Sequence, residues 1–216
     1  DQVVDAAGLD ADTVAALAGE RSFTIRPRKG QFLVSEETFG VDRIILPVPG
    51  PMGKGMLVTP IVFGGLLLGP TAVEVDDKLD LSVDETDRAR ILAACQAMVP
   101  ALAEAAPVRQ FAGLRHVSSE GDFILRPARI SDRLFLAAGI RSTGISTSPA
   151  IAEFAVDAIT RLRGWRPPAR RTLAPPPLEL PEAPGPVVCL CRSISEGEVV
   201  AAARRPTEPR TLDAVK

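Results

Sequence analysis

Tyrosine is absent from the 216 residues, and histidine and tryptophan occur once each. Alanine, arginine and proline are abundant instead, the bias of a GC-rich bacterial genome. Cysteine is nearly as scarce. Cys95, Cys189 and Cys191 are too few and too unevenly spaced for a disulfide framework, so a reducing cytoplasm is the expected compartment. No apolar run approaches the roughly 20 residues of a membrane span, and no secretory signal is visible. No sign of charge dominates either. Against 25 Lys and Arg stand 27 Asp and Glu, mixed along the chain, which argues against nucleic acid or an anionic membrane surface as partner. What is present is apolar: 46% of the chain, enough to bury the core of one large domain or two small ones.

The chain begins without methionine at Asp1-Gln-Val-Val-Asp-Ala-Ala-Gly8, a strand running into a glycine turn. A domain seldom starts this way, and the expectation is the C-terminal piece of a longer polypeptide. Ala11, Val14, Ala15 and Ala18 then fall on one helical stripe that stops at Gly19. Short apolar runs bounded by Gly and Pro follow at Gly30–Ser35, Arg43–Pro47 and Gly55–Pro60. Gly64-Gly65 separates two further runs and signals a hairpin. Ser82-Val-Asp-Glu85 fits a capping box, opening a helix over Asp84–Val99 whose stripe of Ile91, Cys95, Met98, Val99 and Leu102 makes Cys95 a packed core thiol. Strands are expected at Phe111–Val117, Asp122–Arg126 and Leu134–Ala138. A helix follows the last of them and ends near Gly164. Trp165 to Pro186 holds eight prolines and reads as a semi-rigid linker.

Three features carry chemistry. The turn Gly139-Ile-Arg-Ser-Thr-Gly144 joins a strand to a helix whose first N–H groups are free. Its glycines let a flat or anionic ligand approach the backbone, and Ala7-Gly8 is a second turn of this kind. Cys189 and Cys191 are soft ligands, but a metal or iron–sulfur site needs about four. His116 has the pKa for general base work. As the neighbour of Arg115 on a strand, however, it should face away from any pocket that Arg115 faces.

The order of these segments is more specific than any one of them. Val3-Val-Asp-Ala-Ala-Gly-Leu-Asp10, Pro27-Arg-Lys-Gly-Gln-Phe-Leu-Val34, Gly53-Lys-Gly-Met-Leu-Val-Thr-Pro60, Leu67-Leu-Gly-Pro-Thr-Ala72, Phe111-Ala-Gly-Leu-Arg115 and Ala138-Gly-Ile-Arg-Ser-Thr-Gly-Ile145 together resemble the D-amino-acid-oxidase superfamily of FAD-dependent oxidoreductases. Within it they are most similar to the catalytic subunits of anaerobic-type glycerol-3-phosphate dehydrogenases. Val187-Val-Cys-Leu-Cys191, followed by a helix capped at Ser195-Glu-Gly-Glu198, resembles the start of a bacterioferritin-associated-ferredoxin-like [2Fe–2S] domain.

The resemblance implies an α+β fold: a mixed, mostly antiparallel substrate-domain sheet with one main helix, plus the C-terminal strand–helix pieces of a Rossmann-like FAD-binding domain. Residues 1–21 and 129–164 would belong to the FAD-binding domain, packed side by side. Residues 22–128 would form the substrate domain, 165–186 the Pro-rich linker and 187–216 a truncated [2Fe–2S]-type domain, extended or partly disordered without its cluster. FAD would contact Ala7, Gly8, Gly139, Ile140, Arg141, Ser142, Thr143, Gly144 and Ile145. The substrate would meet Arg115 and Lys54, with no catalytic base assigned. Cys189 and Cys191 would be two of four cluster ligands in the parent protein. The phosphate-binding Gly-x-Gly-x-x-Gly of the family is absent, so this piece alone is expected to bind FAD poorly and to be inactive. The implied activity is hydride transfer to flavin from a small anionic alcohol, glycerol 3-phosphate foremost. The alternatives are L-2-hydroxyglutarate, another 2-hydroxy acid or an amino acid, or a non-catalytic fragment that needs its N-terminal half. Implied partners are an electron-acceptor protein or quinone-linked subunit, which would bring the protein to the membrane, and further copies of itself.

Overall fold

The computed structural model describes residues 2–50, 55–62, 64–164, 185–189 and 194–204. The chain divides into two compact units, Asp1–Pro167 and Pro168–Lys216. The first is α+β and holds two sheets.

The smaller sheet has the order β1–β8–β7. Its middle strand, β8 (Leu134–Ala138), is buried at every residue, as expected of a strand covered on both faces. On one side β1 (Val3–Asp5) pairs with it in parallel, Val3 opposite Leu134. On the other side β7 (Ile124–Pro127) runs antiparallel. Two segments some 130 residues apart in sequence therefore meet in one ladder, as the sequence led one to expect. Helix α1 (Ala11–Leu17) packs here with Ala11 and Ala15, together with Phe23, Ile25, Leu136 and Ala138. Val14 and Ala18 are exposed, so the buried stripe of α1 is only the i, i+4 pair.

The larger sheet is built around β2 (Ile25–Ser35). One edge of β2 pairs with β5 (Val73–Glu74) and with β4 (Leu66–Gly69), which in turn pairs with β3 (Leu57–Pro60). The other edge pairs over ten residues with β6 (Arg109–Ser118). Every pairing is antiparallel. The β3–β4 hairpin turns at Gly64-Gly65, both at positive φ, as their placement predicts. The predicted strand at Arg43–Pro47 is reduced to a single bridge, Ile45 with Val58. Pro47 and Pro49 supply no N–H with which to extend it.

Alternation along β2 splits this sheet into two faces. Odd-numbered residues from Ile25 to Ser35 are buried; the even positions, Gly30 excepted, are at least partly open. Leu33 on the buried face joins Val58, Leu66, Leu68, Ile91, Cys95 and Leu102 in a second core under α2 (Glu85–Met98). The start of α2 is not capped by Ser82. Asp84 is the N-cap, and its carboxylate accepts from the Asp87 N–H at 2.8 Å. Ser82 Oγ instead accepts from Lys29 Nζ, which also pairs with Asp80 at 2.8 Å. Gln31, buried, ties helix to sheet: its amide donates to Asp84 and Asp87 at 2.8 and 2.7 Å and accepts from the Asp84 N–H at 2.9 Å.

After β8, helix α3 (Gly144–Arg163) runs to Gly164, which closes it in the left-handed conformation at φ +62°. In the second unit β9 (Val187–Cys189) and β10 (Ile194–Ser195) pair antiparallel and lead into α4 (Glu196–Ala203). Ser195 and Glu198 form the predicted capping box there: Glu198 accepts from the Ser195 N–H at 2.8 Å, and Ser195 Oγ from the Glu198 N–H at 3.3 Å. The segment from Val187 was expected to be extended or partly disordered; its described residues are a strand pair and a capped helix, local hydrogen bonds sufficing to order them. Most of the Pro-rich linker, and Cys191, lie outside the described residues.

Candidate functional site

The bend between β8 and α3 is fixed by sterics. Gly139 has φ +68°, and a Cβ there would stand 2.6 Å from Ser118 Cβ and 3.1 Å from the Asp122 carbonyl. Only glycine fits both constraints. Arg141 also has positive φ (+62°), and its guanidinium donates to the Gly121 carbonyl, fastening the bend to the β6–β7 loop. The hydroxyls of Ser146 and Thr147 are turned back onto the Thr143 carbonyl, and Thr143 Oγ1 onto that of Ile140. No side chain caps the start of α3. A 3-10 turn at Arg141–Thr143 leads directly into its first residue.

A cavity of about 410 Å³ opens between this bend and the first turn of the chain, lined among others by Val4, Ala6, Gly8, His116, Ile140 and Gly144. Gly8, at φ +62°, and Gly144 bring bare backbone to its lining. His116 Nδ1 is buried without a hydrogen-bond partner among the described residues, and burial holds the imidazole pKa below its ordinary value, favouring the neutral ring. Of the nine residues predicted to contact FAD, the cavity gathers Gly8, Ile140 and Gly144. Ala7, Gly139, Arg141, Ser142, Thr143 and Ile145 belong to the same two turns without lining it, and Ile145 is 94% exposed.

Arg115 is not in this cavity. Strand alternation sends Arg115 and His116 to opposite faces, as expected, but it is His116 that faces the cavity beside the bend, which corrects the expected assignment of faces. On the open face Arg115 Nη2 donates to the Thr71 carbonyl at 2.6 Å, and its guanidinium lies over Gly30, where a Cβ would stand 2.8 Å from Nη2. Burial, and to a lesser degree Arg28, lower its pKa from the ordinary value; an arginine stays charged regardless. Around it on the same face are Gly113, over which nothing lies within 4 Å, and the stacked rings of Phe32 and Phe111, 5.2 Å apart. Bend and guanidinium flank the C-terminal end of β6 on its two faces, Ser118 against the bend only three residues after Arg115.

Lys54 lies outside the described residues. Cys189 ends β9. Among the described residues no group of His, Cys, Asp and Glu side chains is placed to hold a metal ion, and no helix is long and apolar enough to cross a membrane. Sequence reasoning missed Thr71, Gly30 and Phe32. Their signal was present in the register of β2 against β6 but needs the pairing to be known.

Residues 1–158 match the FAD dependent oxidoreductase family, and the chain belongs to it. Among its relatives are the glycerol 3-phosphate dehydrogenase of Caloramator mitchellensis, 34% identical over 99% of this chain and 48% of that protein, and the glycerol 3-phosphate oxidase of Mycoplasma genitalium, 34% identical over 72% of this chain and 42% of that one. The chain thus spans about half the length of the curated relatives it matches. Its fold is similar to the L-α-glycerophosphate oxidase of Mycoplasma pneumoniae solved with FAD bound, with 30% identity, a TM-score of 0.67 and coverage of 76% of this chain and 43% of that one. The site fits the cofactor of this family: two glycine turns, an uncapped helix start, an apolar cavity and one orphaned buried nitrogen suit a flat ring system with a polar edge.

Proposed function

We propose that this chain supplies the substrate sheet and one wall of the cofactor site of a flavin-dependent dehydrogenase acting on glycerol 3-phosphate. The observation that carries this reading is the half-buried guanidinium of Arg115, held against the Thr71 carbonyl on the open face of β6, three residues before Ser118, which abuts the glycine bend on the other face. Arg115 binds the anionic group of the substrate with the donors that Thr71 leaves free. The rings of Phe32 and Phe111 bound the space beside it. The Gly139–Ile145 bend and Gly8 would hold the flavin through backbone N–H groups, the Ala7 N–H being given to Asp5, and His116 Nδ1 would donate to it or accept from it. When bound, the flavin supplies the hydride acceptor that amino-acid side chains lack.

Residues 1–21 and 129–164 are assigned on this reading to the cofactor domain, and 22–128 to the substrate domain. Cys189 and Cys191 are two of the four thiolates of a [2Fe–2S] cluster that passes electrons to an acceptor. The Cys-x-Cys spacing before the capped helix α4 supports that assignment. Iron and acid-labile sulfide measured in the full gene product test it; their absence refutes it.

Reduction of the bound flavin by a substrate panel tests the activity. Glycerol 3-phosphate should bleach it. Bleaching by L-2-hydroxyglutarate or an amino acid in its place would transfer Arg115 to a carboxylate. Arg115→Ala should raise KM at least tenfold, as expected for a lost charged hydrogen bond worth about 1.5–3 kcal/mol. An unchanged KM removes Arg115 from the site.

A further inference from the structure

We propose that Arg28 is the second cation of the anion site and that it sets the preference for a doubly charged group over a carboxylate. This rests on the reading of Arg115 above.

Arg28 and Arg115 are directly opposite in the β2–β6 ladder, so their side chains leave the same face. Like charges in that relation destabilise a sheet. The open face nevertheless carries four guanidiniums, since Arg26 lies two residues before Arg28 and Arg109 six before Arg115. Arg28 meets a carboxylate on the other edge of β2: Glu74, opposite it on β5, is bonded to it at 2.6 Å. Arg28 holds the pKa of Glu74 below its ordinary value, and Arg26 adds to the effect. Glu74 is 61% exposed, and such solvent-screened pairs contribute little. Arg28 can leave Glu74 at little cost.

The space it would turn into is open on the Gly113 side. Gly30 and Gly113 are paired across the ladder next to the two arginines; Gly30 is covered by the Arg115 guanidinium, Pro70 and Thr71, while nothing lies within 4 Å of the Gly113 Cβ position. Beyond them the Phe32 and Phe111 rings close the space on the apolar side. Arg115 gives one nitrogen to Thr71 and keeps its remaining N–H groups without partners among the described residues. A carboxylate is satisfied by one such fork. A phosphate dianion has three terminal oxygens and a second charge, and two guanidiniums on one face match it. Like-charge strain between Arg28 and Arg115 is then relieved by the ligand, which couples the pair to the dianion and much less to a monoanion.

The experiment compares inorganic phosphate with acetate on the flavin-loaded protein, read by thermal shift and by perturbation of the flavin absorbance, so that turnover is not required. Arg28→Gln should weaken phosphate at least fivefold and acetate less than twofold, and, by lifting the like-charge strain, should not lower the melting temperature of the ligand-free protein. Arg28→Lys should recover part of the phosphate affinity. Equal weakening of both anions by Arg28→Gln, or of neither, overturns the proposal. Arg115→Gln should weaken both. If it weakens neither, the underlying reading of Arg115 is what fails, whereas loss with Arg115→Gln but not with Arg28→Gln leaves that reading standing and removes Arg28.

Discussion

Gly30→Ala isolates the placement of Arg115 from its charge. The added methyl would stand 2.8 Å from Arg115 Nη2, 3.0 Å from Pro70 Cβ and 3.1 Å from the Thr71 carbonyl. The proline and the carbonyl are anchored, while the guanidinium is the far end of a flexible side chain, so the guanidinium moves. It leaves the Thr71 carbonyl and with it the position proposed to meet the substrate. Losing one hydrogen bond to a charged group is worth about 1.5–3 kcal/mol, or roughly 10- to 150-fold in affinity. Stability should change less. Overpacking costs about 1–3 kcal/mol, and alanine recovers roughly 0.5–1 kcal/mol over glycine in a strand. Phosphate titration and thermal melting of the flavin-loaded protein measure the two separately. Gly113→Ala, its cross-strand neighbour with nothing within 4 Å, is the stability control and should melt at or slightly above the wild type. If Gly30→Ala binds phosphate within twofold of the wild type, the contact of Arg115 with Thr71 does not prepare the anion site.

Four further outcomes are expected. Gly139→Ala should release flavin and lower the melting temperature, because it combines a left-handed backbone with a 2.6 Å clash against Ser118; flavin content after gel filtration reads it. His116→Ala should weaken flavin binding or shift the flavin absorbance by removing the buried Nδ1, and an identical spectrum and affinity would remove His116 from the cofactor site. Glu20 is buried, and although burial raises its pKa, hydrogen bonds from Ser22, Arg129 and Ile130 outweigh this and bring it down to about 2. With the folded pKa below the unfolded one, its contribution is complete above about pH 4.5 and lost as pH falls toward 2; Glu20→Gln should cost about 1–3 kcal/mol at pH 7, with the gap to wild type closing across that window in acid melts. Cys95, fully buried and with its thiol pushed up to about 11 by burial, should resist iodoacetamide in the folded protein, as peptide mapping would show.

The readable elements were those whose signal is local. The apolar run Leu134–Ala138, the Gly64-Gly65 turn and the stop at Gly164 each carry their cause within a few residues, and the structure places them where the sequence does. The first half of β2 was not readable. Arg26-Pro-Arg-Lys29 looks like a loop, since the even face is open and its buried odd face includes Lys29, paired with Asp80 51 residues later. The clamp of Gln31 on Asp84 and Asp87 is equally non-local, and it moved the helix cap away from Ser82. For the site, a period of two states that Arg115 and His116 point apart, but not which of them meets the glycine bend. That depends on how β6 lies against the β8–α3 corner, and the sequence carries no short-range record of it.

The parallel pairing of Val3–Asp5 with Leu134–Ala138 has a consequence for biogenesis. The first strand of the described chain cannot find its ladder until some 130 residues more have been synthesised, and β8 is fully apolar. Closing so large a loop is slow relative to the hairpins between. The β2–β6 sheet should therefore condense first and the β1–β8 junction last, leaving the backbone of Val3–Asp5 without its β8 ladder on the nascent chain for as long as the ribosome takes to deliver that partner.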